Sequence, residues 1–133
     1  MKTIVSAVAG CLVAGVAFAA IDAGAATIRV ECEQRGLQRS KISVDARKLA
    51  PLPNGQMYRA EVVSGGNSAI SPGEPPIGDE VGFDFDSDRG DIAGGAVAIA
   101  PTFIVNGSVT GKILAPNGDA VISDTVACRV RNR

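Results

Sequence analysis

From residue 27 onward, apolar and polar residues alternate with a period of two. Ile28, Val30 and Cys32 alternate with Thr27, Arg29, Glu31 and Glu33, and Ile42, Val44 and Ala46 with Lys41, Ser43, Asp45 and Arg47. Tyr58, Ala60 and Val62 alternate with Met57, Arg59 and Glu61. The pattern recurs at Val81-Phe83-Phe85, Val109-Gly111-Ile113 and Val126-Cys128-Val130. Successive side chains of a strand point to opposite faces, so each run predicts a strand with one face in a core and one in water. No segment after residue 20 shows helical periodicity. Ala93–Ala100 has the composition for a turn of helix, but Gly94-Gly95 disfavours it.

Turn chemistry agrees with the strands. Asn-Gly occurs at 54–55, 106–107 and 117–118, and both residues tolerate the positive φ of a two-residue hairpin turn. Phe103-Ile104-Val105-Asn106-Gly107-Ser108-Val109-Thr110 reads as a tight hairpin. Pro116-Asn117-Gly118-Asp119 reads as the next turn, leading into one long last strand from about Ala120 to Arg131. Residues 64–78, rich in Gly, Ser and Pro, read as one long irregular connection. Seven or eight short strands with these turns predict an all-β protein. The expected form is a small antiparallel β-sandwich of immunoglobulin-like architecture, with a small closed β-barrel as the alternative.

The first residues follow a different rule. Met1-Lys2 is followed by an uncharged apolar stretch to Ala20, and Ala17-Phe18-Ala19 supplies small residues at −3 and −1 of a cleavage site. Residues 1–19 therefore read as a cleaved Sec-type signal peptide and 20–133 as a single domain with no membrane span. Ala23-Gly24-Ala25 is a second possible cleavage site. Val8-Ala9-Gly10-Cys11 resembles a lipidation site, but the apolar stretch runs well past Cys11, which fits a small residue within the signal better.

Export places the protein in the periplasm or outside the cell, where thiols oxidise. Cys32 and Cys128 are then the remaining cysteines, at inward positions near the two ends of the domain. A bridge between them closes nearly the whole domain. No Cys-x-x-Cys is present, so the expected role is structural.

The chain holds no His, no Trp and a single Tyr, with a net charge of −1. Without His there is no imidazole base and no His-bearing metal site. Few aromatics and no positive balance argue against nucleic-acid binding. Charge is nonetheless uneven. Eight acids lie between 61 and 91 against Arg89 alone, whereas Arg129, Arg131 and Arg133 close the chain.

The densest candidate chemistry is Asp84-Phe85-Asp86-Ser87-Asp88-Arg89-Gly90-Asp91. Alternation places Asp84 and Asp86 on the solvent face of a strand and Asp88 and Asp91 on the following turn. Calcium takes six to eight oxygens, so Asp84, Asp86, Asp88 and Asp91 are the candidate calcium ligands. The match to a helical calcium loop stops there, because Arg89 stands where that loop needs glycine and Gly95 where it needs glutamate. An acidic outer face that keeps the strand soluble explains the same run. Arg89-Gly90-Asp91 also spells a tripeptide read by adhesion receptors, a short match that a turn explains equally.

Three functional expectations follow. The first is an exported, non-catalytic module that binds a protein partner or itself, using exposed strand edges or its uneven charge. The second is a calcium-binding or calcium-stabilised extracellular module. The third, a small carboxylate-based hydrolase, is disfavoured by the lack of aromatic residues to hold a sugar and of nucleophile motifs.

Overall fold

The computed structural model describes residues 25–131. The expected signal peptide, residues 1–19, and Cys11 within it lie outside the described residues. Nine strands and one helical turn follow in order: β1 (Thr27–Arg35), β2 (Arg39–Arg47), β3 (Arg59–Ser64), β4 (Asn67–Ile70), β5 (Val81–Asp86), α1 (Arg89–Ala93), β6 (Val97–Ala98), β7 (Ser108–Leu114), β8 (Ala120–Ala127) and β9 (Arg129–Arg131). They form two packed sheets, one ordered β6-β5-β2-β1-β9 and the other β4-β3-β7-β8. The all-β sandwich is thus the fold. No helix among the described residues is long and apolar enough to cross a membrane.

The inward residues of the alternating runs make the core. Val30, Ile42, Val44, Phe83 and Phe85 come from one sheet, and Ala60, Val62, Val109 and Ile113 from the other. The sheets approach closely at Gly111, where a Cβ would lie 2.8 Å from a Val30 methyl and 3.1 Å from a Val44 methyl. Only glycine allows that contact without repacking. Tyr58 is buried, and its hydroxyl donates to the Ala50 carbonyl (2.6 Å).

Four expectations need correction. The sandwich is not wholly antiparallel, because β1 pairs parallel with β9 and β5 parallel with β6. The expected long last strand is two. β8 pairs with β7 in one sheet, Cys128 intervenes, and β9 pairs with β1 in the other sheet. Cys128 sits at this crossing, bonded to Cys32 with their Cα atoms 4.7 Å apart. The disulfide therefore ties the strand that changes sheets to the first strand.

The third correction concerns Phe103–Thr110. Asn106 and Gly107 take the expected positive φ values of 55° and 64°, but the first arm is not a strand and only Val105 bridges Ser108. Side chains take the place of a ladder. Ser40 Oγ accepts from the Ile104 N–H (3.4 Å), Ser64 Oγ accepts from the Val105 N–H (2.7 Å), and Asn67 Nδ2 donates to the Phe103 carbonyl (2.8 Å). The fourth correction lies in 64–78, where a tight turn at Gly65-Gly66 folds β4 back onto β3. Its sequence, Asn-Ser-Ala-Ile, carries no strand signature.

Candidate functional site

The aspartate run lies at the end of β5. Asp84 keeps its expected exposed position, where its Oδ1 accepts from the Ser43 hydroxyl (2.9 Å). Asp86 does not, since its side chain is only 2% exposed. The phase of the strand is as predicted, but the Arg39 guanidinium and the Asp88 backbone N–H close over the carboxylate. Asp88 caps α1, its Oδ2 accepting from the Asp91 N–H (3.1 Å). Acceptance of an orphan helix N–H by such a side chain is what starts a single turn in a sequence without helical periodicity.

A cation already belongs to this cluster. Arg39 opens β2 and reaches Asp86 through two hydrogen bonds, Nε to Oδ1 at 3.0 Å and Nη2 to Oδ2 at 2.7 Å. The same Nη2 bonds Asp91. The Asp88 backbone N–H adds a third bond to Asp86 Oδ1 (3.0 Å). Burial alone would raise the Asp86 pKa, but the Arg39 and Asp88 hydrogen bonds outweigh it and hold the carboxyl at about 2. The Arg39 guanidinium is correspondingly raised, first by its bond to Asp86.

Of the four expected calcium ligands, the structure thus brings Asp86 and Asp91 together around Arg39. It uses Asp88 as a helix cap and leaves Asp84 on the neighbouring open surface. Among the described residues, no group of three or more Cys, Asp or Glu side chains is arranged to hold a metal ion. Arg89-Gly90-Asp91 lies in α1 with the Asp91 carboxylate engaged by Arg39.

The outer face of β1, β2 and β5 offers a more open site. Strand register sets Arg29, Asp45 and Gly82 in one row and Glu31, Ser43 and Asp84 in the next. Beside them runs the segment from Pro72 to Glu80. Between segment and sheet lie two adjoining hollows that share Glu74 and Gly82. One is lined by Arg29, Asp45, Arg47 and Ile77, and the other by Lys41, Ser43, Asp84 and Asp91. Together they form a groove. Its acidic side chains, Asp45, Glu74, Glu80, Asp84, Asp86 and Asp91, outnumber its basic ones, Arg29, Arg47 and Lys41, and Arg29 is paired with Glu31 (2.7 Å). Ile77, 86% exposed, gives the groove an apolar lip.

Asp45 is the electrostatic centre of the groove. Its carboxylate leans over Gly82 of β5, where a Cβ would sit 2.7 Å from Asp45 Oδ1 and push the side chain aside. The residue is exposed, but loss of solvation around its carboxyl raises the pKa, the charges of Asp84 and Glu31 raise it further, and Arg29 and Arg47 offset part of the rise. No local pattern in the sequence marks Arg39, Asp45 or Glu74 as site residues. The available signal was Gly82 inside an alternating strand, which marks a close approach by another group.

Compared with known protein families, curated proteins and solved structures, the chain matches none.

Proposed function

We propose that this protein is an exported, non-catalytic β-sandwich module that binds an extended, basic stretch of a protein partner. The observation that carries the reading is the pair Asp45 and Asp84 on one open groove, with the Asp45 carboxyl raised by loss of solvation and by the charges of Asp84 and Glu31. A guanidinium or ammonium placed there relieves the repulsion. The apolar lip at Ile77 gives an alternating basic and apolar segment its second contact. Charge complementarity of this kind speeds encounter and sets orientation. In this reading residues 1–19 are removed on export, and the Cys32–Cys128 bond forms in the oxidising compartment that the chain reaches.

Partner binding is preferred to calcium binding because Arg39 stands between Asp86 and Asp91, the two aspartates that come together. The test is fluorescence anisotropy with a labelled Arg-Val-Arg-Val-Arg peptide and its Glu-Val counterpart. Binding of the first alone, weakening as salt rises and lost in Asp45→Asn/Asp84→Asn, is the expected result. Equal affinity for both peptides, or none for either, refutes it.

A further inference from the structure

β8 is the long free edge of its sheet, pairing with β7 alone among the described strands. The other sheet edges are short: β4 has four residues, β6 two, and β9 three, two of them arginines. β8 has eight residues, Ala-Val-Ile-Ser-Asp-Thr-Val-Ala, without proline or a basic residue. Such an edge is a template for pairing with another chain.

Its open side can be read from the ladder. The Cys128 N–H donates to the Gly107 carbonyl (2.7 Å), and bonded pairs alternate along an antiparallel ladder. Val126, Asp124 and Ile122 therefore bond toward β7, while Ala127, Thr125 and Ser123 turn their backbone groups outward. The outward Thr125 N–H is met by Asp124 Oδ1 at 2.9 Å. Asp124 also breaks the apolar phase of the strand. Ile122 and Val126 on either side of it are half-buried against the core, and Asp124, in the same phase and opposite Gly111, is exposed. An apolar residue would complete that row.

We infer that Asp124 guards this edge, preventing β8 from pairing with β8 of a second copy. One carboxylate occupies an outward donor and places a charge where a facing strand would bury it. Two such charges across a dimer axis repel each other. The β-bulge between Ile113 and Leu114, which displaces the start of β8, shortens the edge further.

The test is light scattering over a wide concentration range on the oxidised wild-type protein, Asp124→Val and Asp124→Thr, with amide hydrogen exchange on each. The expected result is a monomeric wild type and variants that form dimers or larger species, with new protection at Ser123, Thr125 and Ala127. The inference is overturned if either folded variant stays monomeric, or associates without protecting those amides. A wild type that already pairs through them overturns it too.

Discussion

Arg39 and Asp86 stand 47 residues apart in sequence and meet through two parallel hydrogen bonds of 3.0 and 2.7 Å, with the Asp86 side chain 2% exposed. The pair joins the first residue of β2 to the last of β5, and Arg39 holds α1 through Asp91. Removing one member leaves a buried charge without its partner, which typically costs about 3–5 kcal/mol. Arg39→Ala is expected to lose that much in urea unfolding. Arg39→Met/Asp86→Leu, which removes both charges, is expected to recover most of it.

The same pair sets an acid limit. Asp86 titrates at about 2 when folded against an ordinary 3.8. A carboxyl depressed on folding stabilises above its unfolded pKa, and that contribution is lost as pH falls through the folded value. Wild type is expected to lose about 2 kcal/mol as pH drops from about 4 toward 2, beyond what Asp86→Asn loses over the same range. Parallel acid titrations of the two proteins contradict the assignment.

Asp45 works in the opposite sense. Its carboxyl is raised by loss of solvation first and by Asp84 and Glu31 next, so ionisation weakens the fold as pH rises through its titration. Asp45→Asn is expected to melt higher than wild type at neutral pH, with the two curves converging in acid. An unchanged or lower melting temperature at pH 7 rules out the crowding that the groove reading rests on.

Much of this fold was legible in the sequence, because the central strands β2, β3, β5 and β7 each have one dry face. Ile42, Val44 and Ala46 point inward as their alternation required, and Cys32 meets Cys128. The illegible parts are those where backbone groups are satisfied by side chains from afar. Ser40 and Ser64 hold the Ile104 and Val105 amides, and no local pattern announces a serine that replaces a strand. Asp86 has the phase of an exposed residue but is buried, because Arg39, 47 residues away, closes over its carboxylate. The groove depends on register, which sets Asp45 beside Gly82 and cannot be read from either strand alone.

Gly111 tests the packing of the sheets. Gly111→Ala inserts a methyl within 2.8 Å of Val30, whose branched side chain has little rotameric freedom. Overpacking of this kind typically costs about 1–3 kcal/mol, and a thermal melt is expected to show it. Gly118→Ala, with nothing within 4 Å of its Cβ, is the control for the strain of a positive φ without crowding.

Calcium is expected to leave the melting temperature of wild type unchanged relative to chelator, because the Arg39 guanidinium already occupies the position between Asp86 and Asp91. Binding to the folded state alone would raise stability by about 2.7 kcal/mol at a hundredfold excess over Kd. A shift of that size, lost in Asp86→Asn/Asp88→Asn, would restore the calcium reading and require Arg39 to move.

Reduction of the Cys32–Cys128 bond removes a closure spanning 96 residues. Chain-entropy arguments give about 4–5 kcal/mol for such a loop. Cys32→Ala/Cys128→Ala is expected to lose stability on that scale, with hydrogen exchange quickening first in β9, held to β1 by three residue pairs and the Arg131–Glu33 ion pair.

The most direct test of the groove is backbone amide NMR of the oxidised domain titrated with the Arg-Val-Arg-Val-Arg peptide. Shifts concentrated at Ser43, Asp45, Ile77, Gly82 and Asp84, and abolished in Asp45→Asn/Asp84→Asn, are the expected result. An unperturbed spectrum, or shifts confined to another surface such as β8, contradicts it.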